Sequence, residues 1–268
     1  MTLQDFKLKM ISELSSIYEM DELNSIINLL SEDYLKIPRS KILLADEIDL
    51  NESNQTLFLN ALRRLKTNEP IQYVLGKTTF MDLEFKVNSS VLIPRSETEE
   101  LVRLILKEDL DGKEILDIGT GSGCIAVSLA KNLSNAKVSA LDISKDALEV
   151  ALENAELNNV NIEFIHADIF EYQSDKKYDV IVSNPPYVLE SEKMLMKQNV
   201  LNYEPEIALF VDDINALKYY ESIIKFSLNN LNSQGQIFFE TNENYKDELN
   251  KLAQNYEYNI IEFKLDIN

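Results

Sequence analysis

A regular alternation of short apolar segments and helical segments, beginning near Glu97, constrains the fold of this chain more than any other feature. Strands are predicted over 114–119, 137–143, 162–170, 178–186, 236–241 and 258–267. Helical periodicity separates them, and Ser96 and Ser144 stand where the N-caps of two helices are expected. Apolar strands that alternate with helices form a mainly parallel sheet with helices on both faces. The predicted fold class is therefore α/β.

The beginning of the chain has a different pattern. Apolar residues recur at helical spacing from residue 3 to residue 14, and further helical runs follow without strand-like alternation. This pattern predicts a small all-α bundle over residues 1–75. Alternating apolar residues on both sides of Asn88–Ser90 predict a β-hairpin linker over residues 76–94 with its turn there. The α/β domain is then expected to span residues 95–268.

The chain is acidic, with 46 Asp and Glu against 26 Lys and Arg and a formal net charge of −20. An acidic surface repels phosphate backbones, so binding to long nucleic acids is not expected. One cysteine, Cys124, excludes an intramolecular disulfide framework. The sequence has neither an apolar run of about 18 residues nor an apolar signal core near its start. We therefore expect a cytoplasmic protein without membrane association, and nothing in the sequence requires more than a monomer.

Three of the six glycines, Gly119, Gly121 and Gly123, lie within five residues between a predicted strand and a predicted helix. Glycines permit a tight strand-to-helix turn and a close approach of the backbone to a ligand. Thr120 and Ser122 complete the loop. The pattern is G-x-G-x-G rather than the G-x-G-x-x-G of dinucleotide-binding loops, which disfavours a nicotinamide-dependent oxidoreductase.

Two carboxylates lie at the ends of the next two predicted strands. Asp142 can accept hydrogen bonds from both hydroxyls of a ribose, and Asp168 can accept one from an adenine amino group with Ile169 beside the ring. Together with the glycine loop, these residues predict a cleft for an adenosine without phosphates, which S-adenosylmethionine fits. The alternative is a tight turn accompanied by two exposed carboxylates. No metal site is predicted.

Asn184, Pro185, Pro186 and Tyr187 follow the strand segment YDVIVS (178–183). The prolines stiffen this loop at the end of a strand, where open α/β sheets bind ligands. The Asn184 side-chain oxygen and the Pro185 carbonyl oxygen can accept both hydrogens of a planar –NH₂ group, against which Tyr187 can stack. Asn184, Pro185 and Tyr187 are therefore the catalytic candidates, and all four residues are substrate-binding candidates. The alternative is a rigid turn with a buried tyrosine.

The combination of motifs resembles class I S-adenosylmethionine-dependent methyltransferases, and more closely the peptide chain release factor glutamine methyltransferase family. The segments that carry this resemblance are EPIQYVLG (69–76), VLIPRSETEELV (91–102), ILDIGTGSGCIAVSLA (115–130), SNPPYV (183–188) and YEPEIAL (203–209). The sequence departs from the family pattern after Phe210 and after Glu240, where a glycine-rich stretch and Glu-Ile-Gly are usual.

The resemblance implies a helical bundle, a hairpin linker and a methyltransferase domain with a seven-stranded sheet. It implies methylation of the glutamine side-chain amide in the Gly-Gly-Gln motif of translation release factors, with S-adenosylhomocysteine as the second product. By this resemblance Gly119–Gly123 hold the methionine part of the cofactor, Asp142 holds the ribose, and Asp168 with Ile169 borders the adenine. Asn184 borders both cofactor and substrate, and Phe80 matches a hairpin aromatic near the cofactor.

Two other functions remain open at this point. Nucleic-acid amino-methyltransferases acting on adenine N6 or guanine N2 share the Asn-Pro-Pro-Tyr motif and flip their target base into it. Such an enzyme needs a basic groove, whereas residues 81–268 carry a net charge of −17. The other alternative is a methyltransferase-like binding protein without turnover. His166 is interpreted as structural. Arg95 and Glu97 are interpreted either as an ion pair with helix-start charge or as residues that shape the site, and Glu204 either as a rim residue of the substrate pocket or as the start of a turn.

Overall fold

The computed structural model describes residues 1–42 and 48–264. The chain forms two compact units, of which the first comprises Met1–Gly76 together with Lys197–Tyr203. The second comprises Lys77–Met196 and the chain from Glu204 onward. The bounds expected for the bundle, the linker and the α/β domain stay predictions.

The first unit is helical, as the apolar spacing predicts. Its first stretch, Met1–Gly76, contains the helices α1 (Leu3–Leu14), α2 (Met20–Leu35), α3 (Arg39–Ile42), α4 (Glu52–Leu65) and α5 (Ile71–Leu75). Thr2 and Asp5 form a capping box at the start of α1. The buried faces of the helices form one apolar core, in which the Phe6 and Phe58 ring centroids lie 4.4 Å apart. The Tyr203 hydroxyl donates to the Thr67 carbonyl oxygen at 2.9 Å and so fixes the later segment to this unit.

The second unit contains the alternating elements. They are β1 (Lys77–Phe80), β2 (Leu83–Lys86), α6 (Ser96–Ile105), β3 (Glu114–Ile118), α7 (Cys124–Asn132), β4 (Lys137–Asp142), α8 (Lys145–Leu157), β5 (Ile162–His166), β6 (Tyr178–Ser183), β7 (Val188–Leu189), α9 (Gln198–Tyr203, in the first unit), α10 (Glu206–Leu209), β8 (Phe210–Val211), α11 (Lys218–Asn230), β9 (Leu231–Phe239) and α12 (Lys246–Asn255). Two 3₁₀ turns cover Glu190–Leu195 and Glu243–Tyr245. Within the described ranges, no helix has the length and apolar character needed to span a membrane.

The central sheet has the strand order β5-β4-β3-β6-β9, and all of its neighbouring strands are parallel. Helices pack on both faces, so the central strand β3 is apolar on both sides. Ile115 belongs to the core on one face, whereas Leu116 and Ile118 belong to the core on the other. The predicted α/β class is confirmed, but the seven strands are not, because the described residues place five strands in this sheet.

The strand predicted over 258–267 does not form between residues 258 and 264, and its last three residues lie outside the described chain. Side chains attach this segment to helices rather than to a strand. The Tyr258 hydroxyl lies 2.8 Å from the Ser227 hydroxyl, and the Lys264 ammonium lies 3.4 Å from the Glu100 carboxylate. These anchors hold the segment across α11 and α6, so its backbone does not pair with β9.

The predicted β-hairpin exists, but its turn is at Met81–Asp82 rather than at Asn88–Ser90. Strands β1 and β2 pair antiparallel, with Phe80 opposite Leu83, and both turn residues have positive φ. A two-residue turn of this kind matches the twist of the flanking strands. The Met81 N–H donates to the Glu99 carboxylate at 2.7 Å, which anchors the turn.

The two predicted serine caps have different outcomes. The Ser144 hydroxyl accepts from the Ala147 N–H at 3.2 Å, so Ser144 caps α8 as expected. Helix α6 instead begins at Ser96, after Arg95, and the Ser96 hydroxyl donates to the Glu97 carboxylate at 2.9 Å. The N-cap predicted at Ser96 is therefore wrong by one residue.

Candidate active site

The candidate residues lie at one edge of the central sheet. Because β3, β4, β5 and β6 are parallel neighbours, the loops that follow them meet at their common carboxyl ends. These loops contain residues 119–123, 143–144, 167–170 and 184–187. Open α/β sheets bind ligands at this edge. All of the sequence-predicted site residues belong to the second unit.

The glycine loop turns the chain from β3 into α7. Gly123 occupies the N-cap position of α7 with a φ of 78°, and a Cβ atom there would lie 3.0 Å from the Ala151 Cβ. Helix packing therefore requires glycine at this position. Gly121 also has a positive φ, of 54°, but a Cβ atom there would meet nothing within 4 Å. The Gly121 side of the loop is thus open to a ligand, while the Gly119 and Thr120 N–H groups donate to the Leu141 carbonyl oxygen.

Asp142 connects this loop to the end of β4. Its Oδ2 accepts from the Gly121 N–H at 2.8 Å, and its Oδ1 accepts from the Ser144 N–H at 2.9 Å. Burial raises the pKa of Asp142, while these backbone hydrogen bonds act in the opposite direction. Each carboxylate oxygen retains a further lone pair for a ligand hydroxyl. The structure thus brings Asp142 and the glycine loop together, as the sequence predicts.

Asp117 is a residue that the sequence analysis did not assign to the site. It is fully buried in β3, where its Oδ2 accepts from the Thr120 hydroxyl at 2.6 Å and from the Ala126 N–H at 3.3 Å. Its Oδ1 has no hydrogen-bond partner among the described residues. Burial raises the pKa of Asp117 to about 7 and that of the nearby Cys124 thiol to about 12. A lone carboxylate inside an apolar strand is the sequence signal that could have identified it.

The loop after β5 contains Asp168 and Ile169. Asp168 Oδ1 accepts from the Phe170 N–H at 2.9 Å, which closes a short turn, and Ile169 packs against the apolar core beneath β3. Asp168 has no direct hydrogen bond to Asp142 in the described structure. His166, at the end of β5, places its Nε2 atom 2.9 Å from the Ile143 carbonyl oxygen. That contact agrees with a structural role for His166.

The Asn184–Tyr187 loop follows β6 and is tethered by side chains from two other elements. The Asn184 Nδ2 donates to the Thr98 Oγ1 at 3.2 Å. The Tyr187 hydroxyl donates to Glu240 Oε1 at 3.3 Å, and burial raises the pKa of Tyr187. Pro185 is buried between them. The loop is therefore rigid, and the Asn184 side-chain oxygen is not used by the Thr98 contact.

Glu240 and Thr98 were missed by the sequence analysis. The Thr98 hydroxyl donates to Glu240 Oε2 at 2.7 Å, so one carboxylate contacts both Thr98 and Tyr187. The Glu240 N–H donates to the Ser183 carbonyl oxygen at 3.1 Å and extends the pairing of β9 with β6. Burial raises the pKa of Glu240, and the charge of Glu97 adds to this effect. The feature that could have identified Glu240 is its position directly after β9, a strand parallel to β6.

An ion pair supports the segment that leads into α6. The Arg95 guanidinium lies 2.7 Å from Glu204 Oε1, and Glu204 Oε2 accepts from the Ile93 N–H at 3.2 Å. The Glu204 side chain is 1% exposed. Arg95 is therefore an ion-pair residue, but its partner is Glu204 rather than Glu97, which contacts Ser96.

Comparison with known proteins first defines the class of the second unit. Residues 96–205 match the family model of the methyltransferase small domain. A crystal structure of a methyltransferase from Pyrococcus furiosus has the same fold, with a TM-score of 0.52 and 18% identity over 81% of this chain and 94% of that chain. The fold of this unit is that of a class I methyltransferase.

The family follows from the whole chain. Residues 9–76 match the family model of the PrmC N-terminal domain. The release factor glutamine methyltransferase of Flavobacterium psychrophilum is 41% identical over 100% of this chain and 96% of its own length. That of Bacteroides thetaiotaomicron is 42% identical over 95% of this chain and 92% of its own length. The chain belongs to the release factor glutamine methyltransferase family, which confirms the resemblance drawn from its motifs.

Proposed function

We propose that this protein transfers the methyl group of S-adenosylmethionine to the side-chain amide nitrogen of the glutamine in the Gly-Gly-Gln motif of release factors. The observation that carries the proposal is the tethered Asn184–Tyr187 loop beside the glycine loop at one sheet edge. The names of the relatives that are 41% and 42% identical over nearly the whole chain support the same substrate. The substrate is a translation factor, and the proposed location is the cytoplasm, with the enzyme acting as a monomer.

The residues at the sheet edge fit S-adenosylmethionine. Backbone groups of Gly119–Gly123 would hold its methionine part, because the Gly121 side of the loop is open and the first N–H groups of α7 follow it. Asp142 would accept from the ribose hydroxyls, and Asp168 with Ile169 would border the adenine. Asn184 would border both the cofactor and the substrate. When bound, the cofactor supplies an electrophilic methyl group on a sulfonium.

The chain's own contribution to the reaction is to make a weak nucleophile reactive. An amide nitrogen is a poor nucleophile because its lone pair is delocalised into the carbonyl group. The Asn184 Oδ1 and the Pro185 carbonyl oxygen would accept its two hydrogens and stabilise the positive charge that develops on nitrogen. One of these hydrogens must then leave as a proton to water, which gives the neutral N-methyl amide. This is electrostatic preorganisation with the opposite sign to an oxyanion hole. Tyr187 and Pro186 would hold the planar amide in line with the methyl group.

The test is transfer of a labelled methyl group from S-adenosylmethionine to purified release factor. A release factor whose Gly-Gly-Gln glutamine is replaced by alanine is the matched control, and DNA and RNA are tested in parallel. Label on the intact factor alone is the expected result. Label on the alanine control would overturn the proposed acceptor atom, and label on nucleic acid instead would favour the amino-methyltransferase alternative. Cofactor binding without any transfer would favour a protein without turnover.

A further inference from the structure

We infer that Thr98 and Glu240 are positioning residues that orient the Asn184 side-chain amide, so that its oxygen faces the substrate. This inference rests on the proposed function and extends it to residues outside the Asn-Pro-Pro-Tyr motif. Thr98 lies in α6, and Glu240 follows β9. They act through Asn184 and do not themselves need to touch the reacting atoms.

The direction of the hydrogen bonds fixes the orientation. The Thr98 hydroxyl donates its one hydrogen to Glu240 Oε2 at 2.7 Å, and the other oxygen of this carboxyl group accepts from the Tyr187 hydroxyl. The Thr98 oxygen can then only accept from Asn184, at 3.2 Å. The –NH₂ end of the Asn184 amide therefore faces Thr98. A flipped amide would place its oxygen against the lone pairs of Thr98 and lose this hydrogen bond.

The hydrogen bonds from Asn184 to Thr98 and from Thr98 to Glu240 form a relay. The Glu240 carboxyl group at its end is itself held in place. Its other oxygen accepts from the Tyr187 hydroxyl, and the Glu240 backbone is fixed by the Ser183 carbonyl oxygen and the Tyr220 hydroxyl. Asn184 and Glu240 directly follow the neighbouring strands β6 and β9. A site supported by packed strands retains its geometry better than one supported by loops alone.

The orientation matters because the two ends of the Asn184 amide have opposite hydrogen-bonding character. With its –NH₂ end toward Thr98, Asn184 presents an acceptor to the –NH₂ group of the substrate amide. In the flipped orientation it would present a donor to a donor, and the developing positive charge would be repelled. Loss of the relay should therefore lower kcat, whereas binding of the cofactor should change little.

The experiment compares steady-state transfer to release factor by wild type, Thr98→Val, Glu240→Gln and the double variant. Each single variant is expected to lower kcat about tenfold, the effect of one hydrogen bond to a charged group. KM for S-adenosylmethionine should stay within about twofold of the wild-type value. Because Thr98 and Glu240 hold the same Asn184 amide group, the losses of kcat in the double variant should be less than additive.

Two further variants separate positioning from structural damage. Thr98→Ser keeps the hydroxyl and should restore kcat to within about twofold of wild type. Ser227→Ala removes another buried hydroxyl of the same unit, away from the sheet edge, and should retain wild-type kcat. A rise of KM for the cofactor with unchanged kcat, or additive losses in the double variant, would overturn the inference. Inactive wild type would instead refute the proposed function itself.

Discussion

Replacing Asp117 by Asn tests whether one buried carboxyl group makes the stability of this protein depend on pH. Burial raises the pKa of Asp117 from 3.8 to about 7, although the hydrogen bonds from Thr120 and Ala126 lower it. Asn has nearly the same shape as Asp, and its amide oxygen can accept the same two hydrogen bonds. The substitution therefore removes the titration while conserving the packing within β3.

The size of the change in the free energy of unfolding follows from the pKa of Asp117 in the folded protein and in the unfolded chain. The folded protein keeps the Asp117 proton up to about pH 7, whereas the unfolded chain releases it near pH 3.8. The stabilisation of the folded state by protonated Asp117 is fully present below pH 3.8 and is lost as the pH rises through 7. At about 1.4 kcal/mol per pKa unit, the full loss is about 4 kcal/mol, of which about 2 kcal/mol falls between pH 5.5 and pH 8. Relative to Asp117→Asn, wild type should therefore lose about 2 kcal/mol over this range.

The assay is urea unfolding at pH 5.5, 7 and 8, followed by circular dichroism because the chain contains no tryptophan. Asp175→Asn, at an exposed carboxylate of the same unit, is the matched control for the chemistry of the substitution. A free-energy difference between wild type and Asp117→Asn that does not change with pH would refute a raised pKa of Asp117. Asp117 would then release its proton at the same pH in the folded and unfolded states.

Three further substitutions test the site and its support. Asn184→Ala should lower kcat about 100-fold or more, because it removes an acceptor that stabilises the developing positive charge. Calorimetry should show that cofactor binding is largely retained, and full turnover would contradict the catalytic assignment of Asn184. Asp142→Ala should instead weaken cofactor binding, and an unchanged Kd for S-adenosylmethionine would exclude the ribose role. Gly123→Ala should destabilise the protein by about 2 kcal/mol in urea unfolding, because the φ of Gly123 is 78° and the new Cβ atom would lie 3.0 Å from the Ala151 Cβ. A urea-unfolding midpoint equal to that of wild type would show that α8 can move aside.

Local sequence pattern was sufficient where the structure depends on neighbours along the chain. Apolar strands between helices predict the parallel sheet, and the glycine loop with Asp142 predicts the shape of its carboxyl edge. Thr98 and Glu240 could not be paired in the same way, because they are 142 residues apart and meet only after β9 has joined β6. Their contact is a property of strand order, which the periodicity of single segments does not contain.

Two of the incorrect details, the strand over 258–267 and the position of the hairpin turn, have a similar physical origin. Residues 258–264 have the β-branched and aromatic composition of a strand, but strand propensity depends on the partner that is available. Here side chains attach the segment to helices instead. The hairpin turn at Met81–Asp82 lacks the Asn-Gly or Asp-Gly pair typical of such turns, whereas Asn88–Ser90 has turn-like composition. Its anchor is the Glu99 carboxylate, which a local pattern does not reveal.

The first unit is built from two separate stretches of the chain, Met1–Gly76 and Lys197–Tyr203. It therefore cannot be exchanged as a single cassette between members of the family. A graft of the N-terminal stretch alone would replace Thr67, to which the Tyr203 hydroxyl donates, and would leave Lys197–Tyr203 unchanged. An exchange meant to keep this unit intact must therefore transfer both stretches.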